Sequence, residues 1–379
     1  MTEKQTKPIK KSSFFSKIFI FLNIIAVLAL LLSYLASHIN PASSWTLAFF
    51  GLIYPLLLVV NIFFTIVWAL NKKRIFLLSF IAILIGFNMI GRFVQFRIFK
   101  QEKPNSEFMK VLSYNVRNFD LYNYTKTWHY TFTKRNKIFD YLCTEKPNIV
   151  CFQEFYWDDN NDFNTSDTLS EILNAKEFHR ESTAKKNGKY WGVATFSEYP
   201  IINRGKIPFE TSTGNVCIFT DIKYKNDTIR VYNVHLESIR LSAEDYIFEE
   251  SLNKKNIPSD KLKASSKRIL SRLKAAYVKR GPQALLVAKH IKNCPYPIIL
   301  CGDFNDSPSS FAYQQISSGL TDSFIESGSG FGQTYLGKYP SFRIDYILHS
   351  KKFKSTGFET DKIELSDHYP VKCFLKIKK

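Results

Sequence analysis

The N-terminal part of the chain consists mainly of long apolar runs. Between Lys17 and Lys72 the sequence contains no Asp, Glu, Lys or Arg. This stretch divides near Pro41 into two runs, 18–36 and 45–70. Each run has about the 20 residues that a helix needs to cross the hydrocarbon core of a bilayer. We therefore predict two transmembrane helices here.

A third apolar run, 75–96, is weaker because Gly86, Asn88 and Gly91 interrupt it and Arg92 lies near its end. A long arginine side chain can extend to the membrane interface, so we predict a third span here as well. A cleavable signal peptide would explain the first run but not three in succession. The remaining alternative is a buried helical hairpin in a soluble protein. The membrane region is expected to comprise residues 1–103.

Lys and Arg flanking the runs predict how they are oriented. Five lysines precede the first run, the loop 37–44 has no basic residue, and the next loop is basic: Lys4, Lys7, Lys10, Lys11 and Lys17, then Lys72, Lys73 and Arg74. Three spans would then place the rest of the chain outside the cytoplasm, and we expect a multi-pass protein of a bacterial inner membrane. If the third run only lies on the membrane, the rest is cytoplasmic. The basic residues that follow this run favour that alternative.

After a polar linker, 102–107, apolar runs of strand length alternate with helical patterns. The predicted strands are 110–116, 148–153, 190–196, 216–223, 228–236, 297–301, 343–349 and 371–377. The predicted helices are 131–144, 261–293 with an interruption at Gly281-Pro282, and 309–318. Mixed strands and helices over this length are typical of one α/β domain. We predict that residues 104–379 form this domain, with two mixed sheets flanked by helices.

The net charge of +19 is unevenly distributed. Residues 1–110 contain 13 basic and 3 acidic residues, and the segment 240–292 contains 13 basic and 5 acidic residues. The soluble part is thus nearly neutral apart from one basic segment, which indicates a local anionic contact. All six cysteines lie in the soluble part without a CxxC spacing, so a zinc site is not expected.

Polar residues recur where the predicted strands end. These groups are Asn115-Val116-Arg117, Gln153-Glu154, Asn233-Val234-His235, Gly302-Asp303-Phe304-Asn305, Arg343-Ile344-Asp345 and Ser366-Asp367-His368. Because strand ends converge in a packed sandwich, these groups are expected to form one cleft.

The residue types in these groups suit phosphoester chemistry. Cations such as Mg²⁺ and Mn²⁺ prefer oxygen ligands, and the sequence supplies three as metal ligands: Asn115, Glu154 and Asp367. The other six are assigned to catalysis and substrate binding. Asp303 would orient or deprotonate the attacking water, and Asn305 would fix the position of the phosphate or of Asp303. Asp345 would hold His368 against a phosphate oxygen, His235 would contact the phosphate or protonate the leaving oxygen, and Arg117 would bind phosphate.

The order of these six motifs resembles the endonuclease/exonuclease/phosphatase superfamily. The resemblance covers residues 111–375 and implies a four-layer α/β sandwich and Mg²⁺-dependent hydrolysis of phosphoesters by an activated water. Abasic-site endonucleases have an Asp where this chain has Arg117, and they lack a histidine matching His235. The chain is therefore more similar to the deoxyribonuclease-like branch or to the branches acting on lipids and small phosphates.

Several alternatives remain open at this point. The substrate is expected to be nucleic acid, a phospholipid headgroup or a small organic phosphate, and no protein partner is inferred. The basic residues of 238–293 would either form a solvated helix face or cover the cleft towards phosphate or lipid headgroups. The competing function is a catalytically inactive, membrane-bound module that binds nucleic acid or headgroups.

Overall fold

The computed structural model describes residues 14–97, 101–121, 131–159, 163–209, 214–240, 259–337 and 343–378. Five helices form the N-terminal region: α1 (Phe14–Leu35), α2 (Trp45–Leu52), α3 (Tyr54–Leu70), α4 (Phe76–Ile85) and α5 (Phe87–Phe93). Two buried amides connect them, because Asn23 donates to the Ser79 hydroxyl (2.6 Å) and Asn61 to the Ala26 carbonyl (3.0 Å). Such polar contacts join helices where the surroundings are apolar.

The second and third apolar runs, each predicted as one span, are each divided into two helices by a bend. The axes of α2 and α3 differ by 60°, with Pro55 at the start of α3, and those of α4 and α5 differ by 65° at Gly86. A Cβ at Gly86 would lie 2.1 Å from the Tyr34 ring, so helix packing requires glycine at this bend. Within the described residues, α1 is long and apolar enough to cross a membrane, and the number of candidate spans becomes three if each bent pair counts as one.

Two six-stranded mixed sheets form the second region. The first sheet has the order β11-β12-β1-β2-β4-β3 and the second has the order β5-β6-β7-β8-β10-β9. The strands are β1 (Met109–Asn115), β2 (Ile149–Asp158), β3 (Glu177–Lys186), β4 (Lys189–Ser197), β5 (Ile201–Ile207), β6 (Val216–Tyr224), β7 (Asp227–His235), β8 (Ile298–Asp303), β9 (Leu320–Asp322), β10 (Asp345–Ser350), β11 (Phe353–Thr360) and β12 (Val371–Ile377).

Helices cover the outer face of each sheet. They are α6 (Thr133–Glu145), α7 (Thr165–Ile172), α8 (Ser259–Lys292) and α9 (Phe311–Ile316). The short helix α10 (Ser323–Ser327) packs instead against β11 of the first sheet and β10 of the second, with Phe324 in the core between the sheets. Small aliphatic residues and cysteines such as Val111, Cys151 and Cys301 fill the space between the sheets. Leu142 and Leu169 belong to the core on the outer side of the first sheet, and Val287 to the core on the second. The expected α/β architecture with two helix-flanked mixed sheets is confirmed.

Four strands were absent from our prediction, and all four lie at sheet edges: β3, β5, β9 and β11. Edge strands expose one side to solvent, and natural proteins place charged residues there, so the apolar run that identifies a central strand is missing. The predicted strand 343–349 also begins later than expected, at Asp345.

The predicted interruption of the long helix is wrong. Helix α8 continues from Ser259 to Lys292 with Pro282 inside it. Proline removes one backbone hydrogen bond from a helix interior and usually bends or ends the helix. Here the following turns are fixed by core packing, since Ala284, Val287 and Ile291 are buried against the second sheet.

The two regions of the chain are in direct contact. The Arg92 guanidinium donates to the Pro308 carbonyl (3.2 Å) and the Gln314 side chain (2.8 Å), so it binds the second region. In return, Arg343 donates to the Arg92 carbonyl (2.9 Å). The Ser309 hydroxyl donates to a carbonyl of α2 (2.7 Å). The helical region therefore contacts the segment that follows Asp303.

Candidate active site

The sheet registers bring the polar strand ends together. Asn115 and His235 are the last residues of β1 and β7, and Asp303 is the last residue of β8. In the second sheet, Asp303 is the register partner of both His235 and Asp345. Strands from both sheets therefore end at one cleft.

Asp303 lies at the centre of this cleft and is fully buried. Its carboxylate accepts hydrogen bonds from the Asn305 backbone N–H (2.7 Å), the Asn305 amide (3.2 Å) and the Asn115 amide (3.0 Å). The Nε2 atoms of His235 and His368 each lie 3.8 Å from Asp303 Oδ2. Burial raises the pKa of Asp303 to about 6, although the attraction of His368 opposes the shift. This carboxylate can therefore accept a proton near neutral pH.

His368 is held by a second buried carboxylate. Its Nδ1 lies 2.9 Å from Asp345 Oδ2, and the backbone N–H of Asp345 donates to the Thr334 hydroxyl (3.1 Å). Burial alone would lower the pKa of His368, but the charges of Asp345 and Asp303 outweigh it and raise the pKa well above its ordinary value. His368 is therefore an imidazolium at neutral pH.

His235, unlike His368, is a neutral imidazole. Burial lowers its pKa, although Asp303 acts in the other direction, so the ring is neutral at pH 7. Its Nε2 is buried without a hydrogen-bond partner among the described residues, and it lies 3.9 Å from Glu154 Oε1. A buried polar atom left in this way costs free energy unless a ligand satisfies it. The space between His235, Glu154 and Asp303 thus fits a polar ligand.

Glu154 and Asp367 form the more open side of the cleft, with side chains 33 % and 26 % exposed. Burial and the neighbouring charge of Asp367 both raise the pKa of Glu154. The carboxylates of Glu154 and Asp367 repel each other. A divalent cation bound to their oxygens would remove that repulsion. The cleft therefore has the charge and the donor atoms that Mg²⁺ or Mn²⁺ requires.

Asn115 occupies the position between the two carboxylate groups. Its amide nitrogen faces Asp303 and Glu154 (3.4 Å to Glu154), and its oxygen accepts from the Arg117 backbone N–H (3.1 Å). In this arrangement the Asn115 amide nitrogen is a hydrogen-bond donor to both carboxylates, and its role as a metal ligand stays a prediction. Arg117 lies at the rim, 49 % exposed, with its Nε 3.5 Å from Asp367.

A different group of side chains also has metal-like geometry. Ligand atoms of Asp303, Asp345 and His368 lie within 4.8 Å of one another, and all three residues are buried. The Asp345–His368 contact already pairs two of these groups with each other. Because Mg²⁺ keeps several waters and prefers oxygen, the open side at Glu154 and Asp367 fits it better.

The backbone is strained at three of the site residues, one of which is Arg117 (φ 46°) at the rim. Glu154 (φ 48°) lies in an irregular part of β2 where the pairing with β4 shifts, and Asn305 (φ 52°) follows Asp303. Left-handed conformations of such residues cost free energy and persist where surrounding contacts impose them. The conformations of Glu154 and Asn305 place their side chains in the cleft.

Two supporting residues were not recognised from the sequence. Arg280 of α8 donates to the Asn305 carbonyl, and its Nη1 lies 3.2 Å from Asp306 Oδ2. Both side chains are buried. Asp306 directly follows the Gly302–Asn305 motif, so its position was a usable signal. Arg280 was one of many basic residues in its segment, and nothing in the sequence distinguished it.

Two sequence-family models match this chain. The sequence model of the endonuclease/exonuclease/phosphatase family matches residues 112–368, and a domain of unknown function, DUF8431, matches residues 16–93. No curated protein matches the chain significantly.

Solved structures share the fold of the second region. An endonuclease/exonuclease/phosphatase from Beutenbergia cavernae is 16 % identical, with a TM-score of 0.50 and coverage of 72 % of each chain. One from Bacteroides vulgatus is also 16 % identical with a TM-score of 0.50, and the match covers 72 % of this chain and 99 % of the other. The matched span of the family model includes the strand-end motifs from Asn115 to His368. This chain belongs to the endonuclease/exonuclease/phosphatase family.

Proposed function

We propose that this protein is a membrane-anchored, Mg²⁺-dependent hydrolase of phosphoester bonds. The observation that carries the proposal is the position of Asp303. This buried carboxylate lies 3.8 Å from two imidazoles, the neutral ring of His235 and the protonated ring of His368. Water attack on a phosphate requires a base, a fixed positive charge beside it and a site for a metal cation. Asp303, the His368 imidazolium and the acidic rim would supply these three.

Glu154 and Asp367 would hold the cation, with Asn115 orienting Glu154 through its amide. Bound there, Mg²⁺ would neutralise substrate charge and stabilise the charge that develops on the phosphate oxygens. Mn²⁺ has similar ligand preferences and is expected to substitute.

The residues of the chain supply the proton transfer and the positioning. Asp303 takes the proton of the attacking water, because its raised pKa matches neutral pH. Asn305 keeps the Asp303 carboxylate in place through two hydrogen bonds. His368 donates a charged hydrogen bond to a phosphate oxygen, held by Asp345. His235 is neutral and therefore binds the phosphate instead of protonating the leaving oxygen, and Arg117 binds phosphate at the rim.

The class of substrate is tested with purified full-length protein and a panel of plasmid DNA, RNA, sphingomyelin, phosphatidylinositol and inositol phosphates. We expect hydrolysis of at least one class with Mg²⁺ or Mn²⁺, and complete loss in excess chelator that is reversed by adding the metal. Because the Glu154 and Asp367 side chains offer oxygen ligands, Mg²⁺ alone should support hydrolysis without added Ca²⁺. Activity that persists in chelator would contradict the metal assignment. Tight substrate binding without turnover would favour the inactive binding module.

Asp303→Asn tests the water-activating role. The replacement keeps the shape but removes the base, so we expect turnover to fall at least about a hundredfold, which corresponds to about 3 kcal/mol of barrier. His368→Ala should lose a similar amount, and the double variant should lose less than the product, since both residues act on one phosphorus centre. The measurement is steady-state kinetics on full-length protein.

The matched control is Asp227→Asn, which makes the same change at the exposed start of β7 and should leave turnover unchanged. If Asp303→Asn retains more than about a third of wild-type turnover, Asp303 does not activate the water. The Gly302–Asn305 segment would then be a structural turn.

The membrane part of the proposal rests on α1 and on the two bent helix pairs. With three spans, the Lys and Arg distribution places the family domain outside the cytoplasm. The contacts of Arg92 and Ser309 keep that domain next to the outer end of the helices.

We expect protease added outside cells, after permeabilisation of any outer membrane, to digest the chain beyond Lys103 while an N-terminal epitope stays protected. The physical reason is the basic loop at Lys72, Lys73 and Arg74, which resists translocation. The measurement is immunoblotting of both ends, with a cytoplasmic protein as lysis control. A C-terminal reporter that is active only in the cytoplasm would show that the third run does not cross.

A further inference from the structure

We propose that the N-terminal half of α8 binds anionic lipid headgroups at the membrane surface. The contact surface is a stripe on one helix face, here called the lysine stripe: Lys263, Lys267, Leu270 and Lys274. The inference rests on the proposed membrane anchoring, and it assigns a second role to a helix that also supports the active-site turn.

Helix geometry defines the face. Residues spaced by three or four positions lie above one another, so the lysine stripe continues through Tyr277 to Gly281. Its C-terminal end contacts the helical region. Lys274 Nζ lies 4.8 Å from the centre of the Trp45 ring, and the rings of Tyr277 and Phe49 are 5.9 Å apart. This face of α8 therefore faces the start of α2.

Gly281 confirms how close the two regions are on this face. A Cβ there would lie 2.3 Å from the Asn40 side-chain oxygen, in the loop between α1 and α2. That loop is the segment expected at the outer membrane surface. The face of α8 that carries the stripe is thus the face next to the membrane-facing part of the chain.

The N-terminal end of the stripe extends beyond these contacts. Every residue from Leu262 to Ala275 is exposed or half-buried, and burial against the sandwich begins at Ala276. Lys263 and Lys267 are exposed, as is Leu270, which has 44 % of its surface accessible. The distance from Lys274 to Lys263 along the helix is about 16 Å. This length of helix continues past Trp45, with its lysines and one leucine on the same face.

The chemistry of this face fits headgroups. Trp45 is a residue type that concentrates at membrane interfaces, and it touches the stripe through Lys274. The lysine stems can lie along apolar surface while their ammonium groups reach phosphate, and Leu270 can enter the acyl boundary. Asp260 is the one acidic residue in the sequence of α8. An anionic bilayer surface therefore attracts this half of the helix.

Headgroup binding would also bear on the active-site turn. Arg280 lies one turn after Tyr277 on the same helix and donates to the Asn305 carbonyl. The lysine stripe and Arg280 therefore belong to one continuous helix. Headgroup binding by the stripe fixes the orientation of the family domain relative to the bilayer.

The test is hydrogen exchange measured by mass spectrometry on full-length protein in nanodiscs. One set contains phosphatidylcholine and the other about one third phosphatidylglycerol. We expect anionic lipid to slow amide exchange between Leu262 and Lys274 about tenfold, and about 0.5 M salt to remove the effect. Soluble glycerol phosphate added to neutral nanodiscs should give no protection, which separates a bilayer surface from free phosphate.

Lys263→Glu/Lys267→Glu should abolish the protection by anionic lipid. Lys289→Glu/Lys292→Glu, the same double charge change at two exposed positions near the other end of α8, should retain it. Equal exchange of the wild-type helix in both lipids would overturn the proposal, as would protection that survives in the Lys263→Glu/Lys267→Glu variant. Exchange does not depend on hydrolysis, and resistance to carbonate extraction measures the anchor separately, so failure of the stripe is distinguishable from failure of the proposed function.

Discussion

The site depends on keeping the Asp303 carboxylate buried. A buried charge is stable only with hydrogen bonds and compensating charge, and here these come from separate parts of the chain. Asn115 reaches Asp303 from the first sheet, His235 and Asn305 from the second, and His368 from the segment before β12. The relative position of the two sheets is therefore a condition for the charge state of Asp303. The same burial that costs stability raises the pKa of Asp303 to about 6.

The turn after Asp303 is supported from outside the sandwich. Asn305 has a left-handed backbone, and Arg280 holds its carbonyl while pairing with Asp306. The next residues contact the helical region, since the Pro308 carbonyl accepts from Arg92. A strained catalytic turn persists when its surroundings over-determine it. The N-terminal helices are thus part of what holds this turn, in addition to being a candidate anchor.

The sequence predicts the central strands and the polar strand ends because both leave local signals. Runs of Ile, Cys and other apolar residues identify β2 and β8, and a Gly-Asp pair identifies where β8 ends. Edge strands such as β3 (Glu177–Lys186) are not predicted, because polar residues on their exposed face interrupt any apolar run in the sequence. The role of Arg280 escapes because it depends on a contact across 25 positions, to Asn305. Likewise, the donor orientation of Asn115 is set by Arg117 and Glu154 in space, which residue types alone do not specify.

We propose that the cation and the base occupy different parts of the cleft, with the cation at Glu154 and Asp367 and the base at Asp303. Electron paramagnetic resonance of Mn²⁺ bound to the full-length protein tests this directly. We expect Glu154→Gln to weaken Mn²⁺ binding at least about tenfold, because it removes a charged oxygen ligand, and Asp345→Asn to leave the affinity unchanged. Loss of Mn²⁺ binding in Asp345→Asn with normal binding in Glu154→Gln would place the metal among Asp303, Asp345 and His368. That result would contradict a cation site at Glu154 and Asp367.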